Sequence, residues 1–63
     1  MFQENLISLR KLNGLSQEEL AEKVGISRQT LSKYETGEAV PDIQKCKKLA
    51  DIFQVSLDDL VNY

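Results

Sequence analysis

Four side chains between residues 28 and 33 are equipped to read the edge of a nucleic-acid base. Arg28 carries a planar fork that donates two parallel hydrogen bonds, the pattern that guanine O6 and N7 accept. Gln29 offers a donor and an acceptor that match adenine N7 and N6. Ser32 is short and can meet a base or the backbone. Lys33 can reach a base or, more loosely, a phosphate. A helix winds roughly 100° per residue, which puts these four on one side. Thr30, Leu31 and Tyr34 fall on the other. One face can pack; the opposite face must meet water or a ligand. Polar outer faces are common on solvated helices, so the elements around the ridge must decide its role.

Those elements are two short helices joined by a glycine turn, from Leu15 to Gly37. Ser16 followed by Glu19 predicts a capping box, in which the serine oxygen meets a free N–H and the glutamate reaches back. A helix from Gln17 to about Val24 follows. Its Leu20, Ala21 and Val24 have the spacing of a buried stripe. Gly25 ends it in the left-handed conformation that glycine adopts without strain. Ser27 is the next N-cap, and a second helix runs to about Thr36, where Gly37 stops it. The stretch that would read a ligand is Ser27 to Glu35. Ala21 is small where the two helices should cross, so their backbones can approach.

The flanking sequence reads as further helix. One is expected from about Phe2 to Leu12, with Phe2, Leu6, Leu9 and Leu12 as its core stripe. Ile7 points elsewhere, either as an ordinary exposed apolar residue or as part of a partner surface. Asn13 and Gly14 end that helix with residues that tolerate positive φ. Residues 38–41 form a loop, and Pro41 allows a helix to begin just after it. Asp42 is the natural cap. Ile43, Cys46, Leu49, Ala50 and Phe53 then face inward, while Lys45, Lys47 and Lys48 form a polar face. Ser56 caps a short fifth helix, with Asp58 and Asp59 near its favourable dipole end. Leu57, Leu60 and Val61 should close the core against the first helix.

Composition sets the outer bounds. A chain of 63 residues makes one domain, 1–63. So small a fold buries only about 60% of the surface its unfolded chain exposes. No apolar run approaches the ~18 residues of a membrane span, and no segment reads as a signal peptide. The single Cys46 makes no internal disulfide and fits a reducing cytoplasm. It reads as a small core residue. There is no histidine, no metal-ligand spacing and no phosphate-cradling glycine loop. An enzyme, a metal or a cofactor has no place to work. The net charge of −2 is unusual for a nucleic-acid binder, but local charge matters more. Residues 1–35 carry five basic and five acidic side chains, and residues 36–63 carry three and five. The acidic excess lies away from the ridge. Weak non-specific binding and salt-sensitive specific binding would follow.

Gln17, Ala21, Gly25, Leu31 and Tyr34, taken in order, resemble the helix-turn-helix of the phage-repressor/Cro-like DNA-binding family (XRE-type transcriptional regulators). The likeness extends from the Arg10-Lys11 pair to the terminal VSLDDLV. It implies an all-α fold, a compact five-helix, λ-repressor-like DNA-binding domain. It also turns the polar ridge from a solvated face into a reading face. On this resemblance Ser27, Arg28, Gln29, Ser32 and Lys33 face DNA bases, the first three foremost. Ser16, Gln17, Thr36 and Gly37 face phosphates. Arg10 and Glu35 form an ion pair that locks the first helix to the reading helix. Gln54 stands where the family has a helix-ending glycine, at a cost of roughly 1 kcal/mol. Glu38 departs from the pattern, because many relatives carry a basic residue there.

The resemblance further implies a transcriptional regulator, a repressor, that binds a double-stranded operator as a homodimer. Its dimer contact would lie in the C-terminal segment, with Leu57, Val61 and Tyr63. No membrane and no small-molecule ligand enter this reading. The alternative is a protein-interaction module, such as an antitoxin or adaptor built on the same fold, which the acidic balance favours. The chain reads equally as a complete small regulator or as the N-terminal DNA-binding part of a longer one.

Overall fold

The computed structural model describes residues 2–61. It is all-α, with five helices: α1 (Phe2–Leu12), α2 (Gln17–Val24), α3 (Arg28–Thr36), α4 (Ile43–Phe53) and α5 (Leu57–Val61). Among the described residues there is no strand, and no helix is long and apolar enough to cross a membrane. Helices α1 and α2 both pack on α3. Helix α5 packs on α1 and α4, and α4 also meets α2. Helix α3 is thus held from two sides.

Local chemistry sets each helix boundary. The Ser16 hydroxyl accepts from the Glu19 N–H at 3.0 Å, and the Ser16 N–H donates to the Glu19 carboxylate at 2.9 Å. Ser27 and Asp42 cap α3 and α4 through the N–H groups of Thr30 and Lys45. Ser56 accepts from the Asp59 N–H at the start of α5. Gly25 ends α2 at a φ of 86°, with Ile26 turning back to the Ala21 carbonyl. Gln54 ends α4 at a φ of 58°, a left-handed conformation that costs a side-chain-bearing residue about 1 kcal/mol. Its N–H recovers part of that by bonding the carbonyls at the helix end.

The capping box is a pH-dependent device. Its bonds from the Ser16 N–H and then the Ser16 hydroxyl hold the Glu19 carboxyl below the usual carboxylate range, with Lys23 helping. A group whose folded pKa is depressed stabilises the fold above its unfolded pKa. That contribution is lost as pH falls through the folded value. Wild type should therefore melt above Glu19→Gln at neutral pH, and the gap should close in acid. Melting curves for the two proteins across that range check this. A gap that persists unchanged in acid would remove the carboxylate from the explanation.

Leu6, Leu20, Leu31, Leu49 and Leu60 are fully buried, with Ala21, Val24, Tyr34, Ala50 and Phe53 around them. Phe2, Leu9, Cys46 and Leu57 pack at the edge of this core. Three residues expected inside are not there. Leu12 is 81% exposed. It borders an open groove of about 310 Å³ shared with Leu9, Val55 and Asp59, so α1 runs on past the elements that cover it. Ile43 is 61% exposed. It occupies the first turn of α4, and only the second half of that helix, from Leu49 to Phe53, enters the core. Val61 is also exposed, leaving Leu60 to close α5 against the core.

Candidate nucleic-acid interface

Helix α3 separates its two faces cleanly. Leu31, Tyr34 and Glu35 are buried, whereas Arg28, Gln29 and Lys33 are exposed and Ser32 is half-buried. Burial pushes the Tyr34 phenol up, with Asp42 and Cys46 adding to the shift, so the ring stays neutral. Among the described residues, the Arg28, Gln29 and Lys33 side chains enter no hydrogen bond or ion pair. Their donors and acceptors are unspent and point away from a rigid support.

Ser27 is placed differently from its neighbours. Its hydroxyl accepts from the Thr30 N–H at 3.1 Å and lies 2.9 Å from the Thr30 hydroxyl. Capping the helix occupies the atom that would otherwise meet a base. In the capping box the Ser16 N–H is used and its hydroxyl oxygen accepts, which leaves the hydroxyl hydrogen available to a phosphate. At the start of α2, the N–H groups of Gln17 and Glu18 have no carbonyl four residues back within the helix. They form a local positive end of the kind that meets phosphate. The exposed Glu18 and Glu19 side chains stand beside it.

The far end of α3 is a corner formed by Thr36, Gly37 and Glu38. Gly37 sits at a φ of 86°, and the Gln3 side chain rests where a β-carbon would be. The Thr36 hydroxyl lies 3.2 Å from the Lys33 carbonyl and 3.3 Å from the Glu38 carboxylate, with one hydrogen to share. Glu38 therefore brings a negative charge to the corner where the sequence places a phosphate contact.

Behind the ridge lies a buried polar knot. Arg10 Nε donates to Glu35 Oε2 at 2.7 Å, and a second guanidinium nitrogen lies 3.4 Å from Oε1. The third Arg10 nitrogen donates to the Leu15 carbonyl at 2.9 Å. The two side chains are 13% and 6% exposed. Gln17 Nε2 donates to Glu35 Oε1 at 2.8 Å. Sequence reasoning paired Arg10 with Glu35 and sent the Gln17 side chain elsewhere. No local signal marks the Gln17 bond, because its partners lie 18 residues apart.

Cys46 is a half-buried thiol that donates to the Pro41 carbonyl at 3.8 Å. Burial, and then Asp42, push its pKa up. It stays protonated and is poorly suited to nucleophilic attack. Among the described residues, no group of three or more histidine, cysteine, aspartate or glutamate side chains is placed to hold a metal ion.

Known proteins are similar to this chain in sequence and fold. Residues 6–60 match the family model described as helix-turn-helix. The chain is 44% identical over 61 residues to the SPbeta prophage-derived HTH-type transcriptional regulator YonR of Bacillus subtilis, covering 97% of this chain and 56% of that protein. It is 37% identical over 57 residues to the cryptic phage CTXphi transcriptional repressor RstR of Vibrio cholerae, covering 90% of this chain and 51% of that protein. A transcriptional regulator from Listeria innocua superposes with a TM-score of 0.93 at 41% identity, over 100% of this chain and 59% of that one. The chain thus spans about half the length of the curated relatives it matches.

Proposed function

The chain belongs to the helix-turn-helix family, its match running from residue 6 to residue 60, and on that footing we propose that it is a sequence-specific DNA-binding transcriptional regulator, a repressor. Helix α3 reads the major groove of a double-stranded operator. The observation that carries this is the ridge of Arg28, Gln29, Ser32 and Lys33. Its polar groups are unspent, and the opposite face of the same helix is buried. Arg28 selects a guanine and Gln29 an adenine; Ser32 and Lys33 meet bases further along the groove. Ser27 contributes at the margin, because its hydroxyl also caps the helix. Phosphates are met by Ser16 and the Gln17 N–H at the start of α2, and by the Thr36–Gly37 corner.

Residues 1–63 act as one DNA-binding unit in this reading, with no catalytic step, and work in the cytoplasm. The active form is a homodimer. One copy has a longest extent of 24 Å, short of the roughly 34 Å between successive major-groove faces. Val40, Ile43 and Val61 are exposed apolar residues. Phe2, Val40, Pro41, Cys46 and Val61 line a cavity of about 160 Å³ that a second copy would cover. Leu57 is half-buried against the core and contributes less. Tyr63, the other residue expected at this contact, lies outside the described residues.

Selection of bound duplexes from a random pool tests the proposal. A palindromic consensus should emerge, with half-sites about one helical turn apart. In the same selection, Arg28→Ala should lose preference at one guanine, worth about 1–3 kcal/mol, at an unchanged melting temperature. Failure of wild type to enrich any sequence would overturn the regulator reading. Unaltered preferences in Arg28→Ala would overturn the assignment of that residue.

A further inference from the structure

Gln17 opens α2, on the side of the molecule that should cross a phosphate backbone, yet its side-chain amide is turned inward. Nε2 donates to Glu35 Oε1 at 2.8 Å, and the residue is half-buried. Arg10 holds Oε2 of the same carboxylate at 2.7 Å and the Leu15 carbonyl at 2.9 Å. One enclosed carboxylate therefore joins α1, the first residue of α2, and α3, while Arg10 ties in the turn after α1. The amide supplies a donor to that carboxylate without adding a third charge to a buried site that already holds two, where charge is costly. A hydrogen bond to a charged acceptor is also stronger than one between neutral groups.

We infer that Gln17 is a positioning residue. Its side chain acts on DNA affinity through Glu35, by fixing the angle of α3 against the start of α2, and not by bonding a phosphate. This rests on the DNA-binding reading above. The Gln17 main chain keeps its place at the helix N-terminus, and the side chain aims it.

The experiment compares wild type with Gln17→Met, which keeps the length and loses the donor. The first arm needs no DNA. Gln17→Met should lower the melting temperature in the wild-type background. It should have almost no effect once Arg10→Met and Glu35→Leu have removed the knot. Equal losses in both backgrounds would overturn the clamp. The second arm uses the consensus duplex recovered by selection, with binding followed by fluorescence anisotropy at a temperature where both proteins are folded. Gln17→Met should bind about tenfold more weakly, with an unchanged salt dependence. Each phosphate near the start of α2 is then replaced in turn by a neutral methylphosphonate. The tenfold deficit should survive at every position. One substitution that abolishes the difference between wild type and Gln17→Met would reveal a direct phosphate contact and overturn the inference. If wild type binds no duplex, the regulator reading falls and this inference with it, whereas failure of the DNA-free arm alone removes only the clamp.

Discussion

Glu35→Ala should cost the domain about 3–5 kcal/mol of stability, the usual penalty for removing one partner of a buried ion pair. The change leaves Arg10, whose side chain is 13% exposed, with a single remaining bond to the Leu15 carbonyl. It also leaves the Gln17 amide without its acceptor. A small domain commands roughly 0.05–0.15 kcal/mol per residue, so a loss of this size leaves little. Operator binding should fall with it, because α3 loses its tie to α1 and α2 together. Thermal melting of the variant is the direct check. A melting temperature equal to that of wild type would mean that the knot holds nothing.

The size of that loss does not measure the worth of the pair. Taking both charges out of water offsets much of their attraction. The double variant Arg10→Met/Glu35→Leu should accordingly be more stable than Glu35→Ala alone, since no uncompensated charge remains. What the apolar replacement cannot supply is direction. The fork of Arg10 and the amide of Gln17 approach the carboxylate from two helices at fixed angles, and an apolar plug would let α3 rotate. The double variant should thus recover stability while its DNA affinity stays low.

The helix ends were legible in the sequence because they are local. Ser16 with Glu19, Ser27 with Thr30 and Asp42 with Lys45 each close within three residues. The left-handed Gln54 was legible too, although only the resemblance marked it. Leu12 and Ile43 were misread for one reason. A period of apolar residues identifies the face of a helix that packs, but not where along the helix its partner ends. Helix α1 outruns its cover at Leu12, and α4 has not yet reached the core at Ile43. The site shows the same division. The face of α3 follows from the winding of one helix. The Gln17–Glu35 bond depends on how two helices cross, which no window of sequence contains.

Leu31→Ala should separate packing from reading. Leu31 is fully buried on the inner face of α3, between the helices that hold α3 from two sides. Truncating a buried leucine in this way costs about 2.7–5 kcal/mol, the transfer energy plus the cavity left behind. Cys46 and Phe2 already sit at the edge of so small a core, so little material can move in to fill the gap. DNA binding should fall because fewer molecules are folded, while the ridge in each folded molecule is unchanged. Arg28→Ala should do the reverse, with folding intact and one contact gone. An excluded osmolyte such as trimethylamine oxide, which strengthens apolar burial, should restore binding to Leu31→Ala and leave Arg28→Ala impaired. If the osmolyte rescues neither variant, or both alike, the two faces of α3 do not do separate work. The assignment of the ridge to DNA would then lose its physical basis.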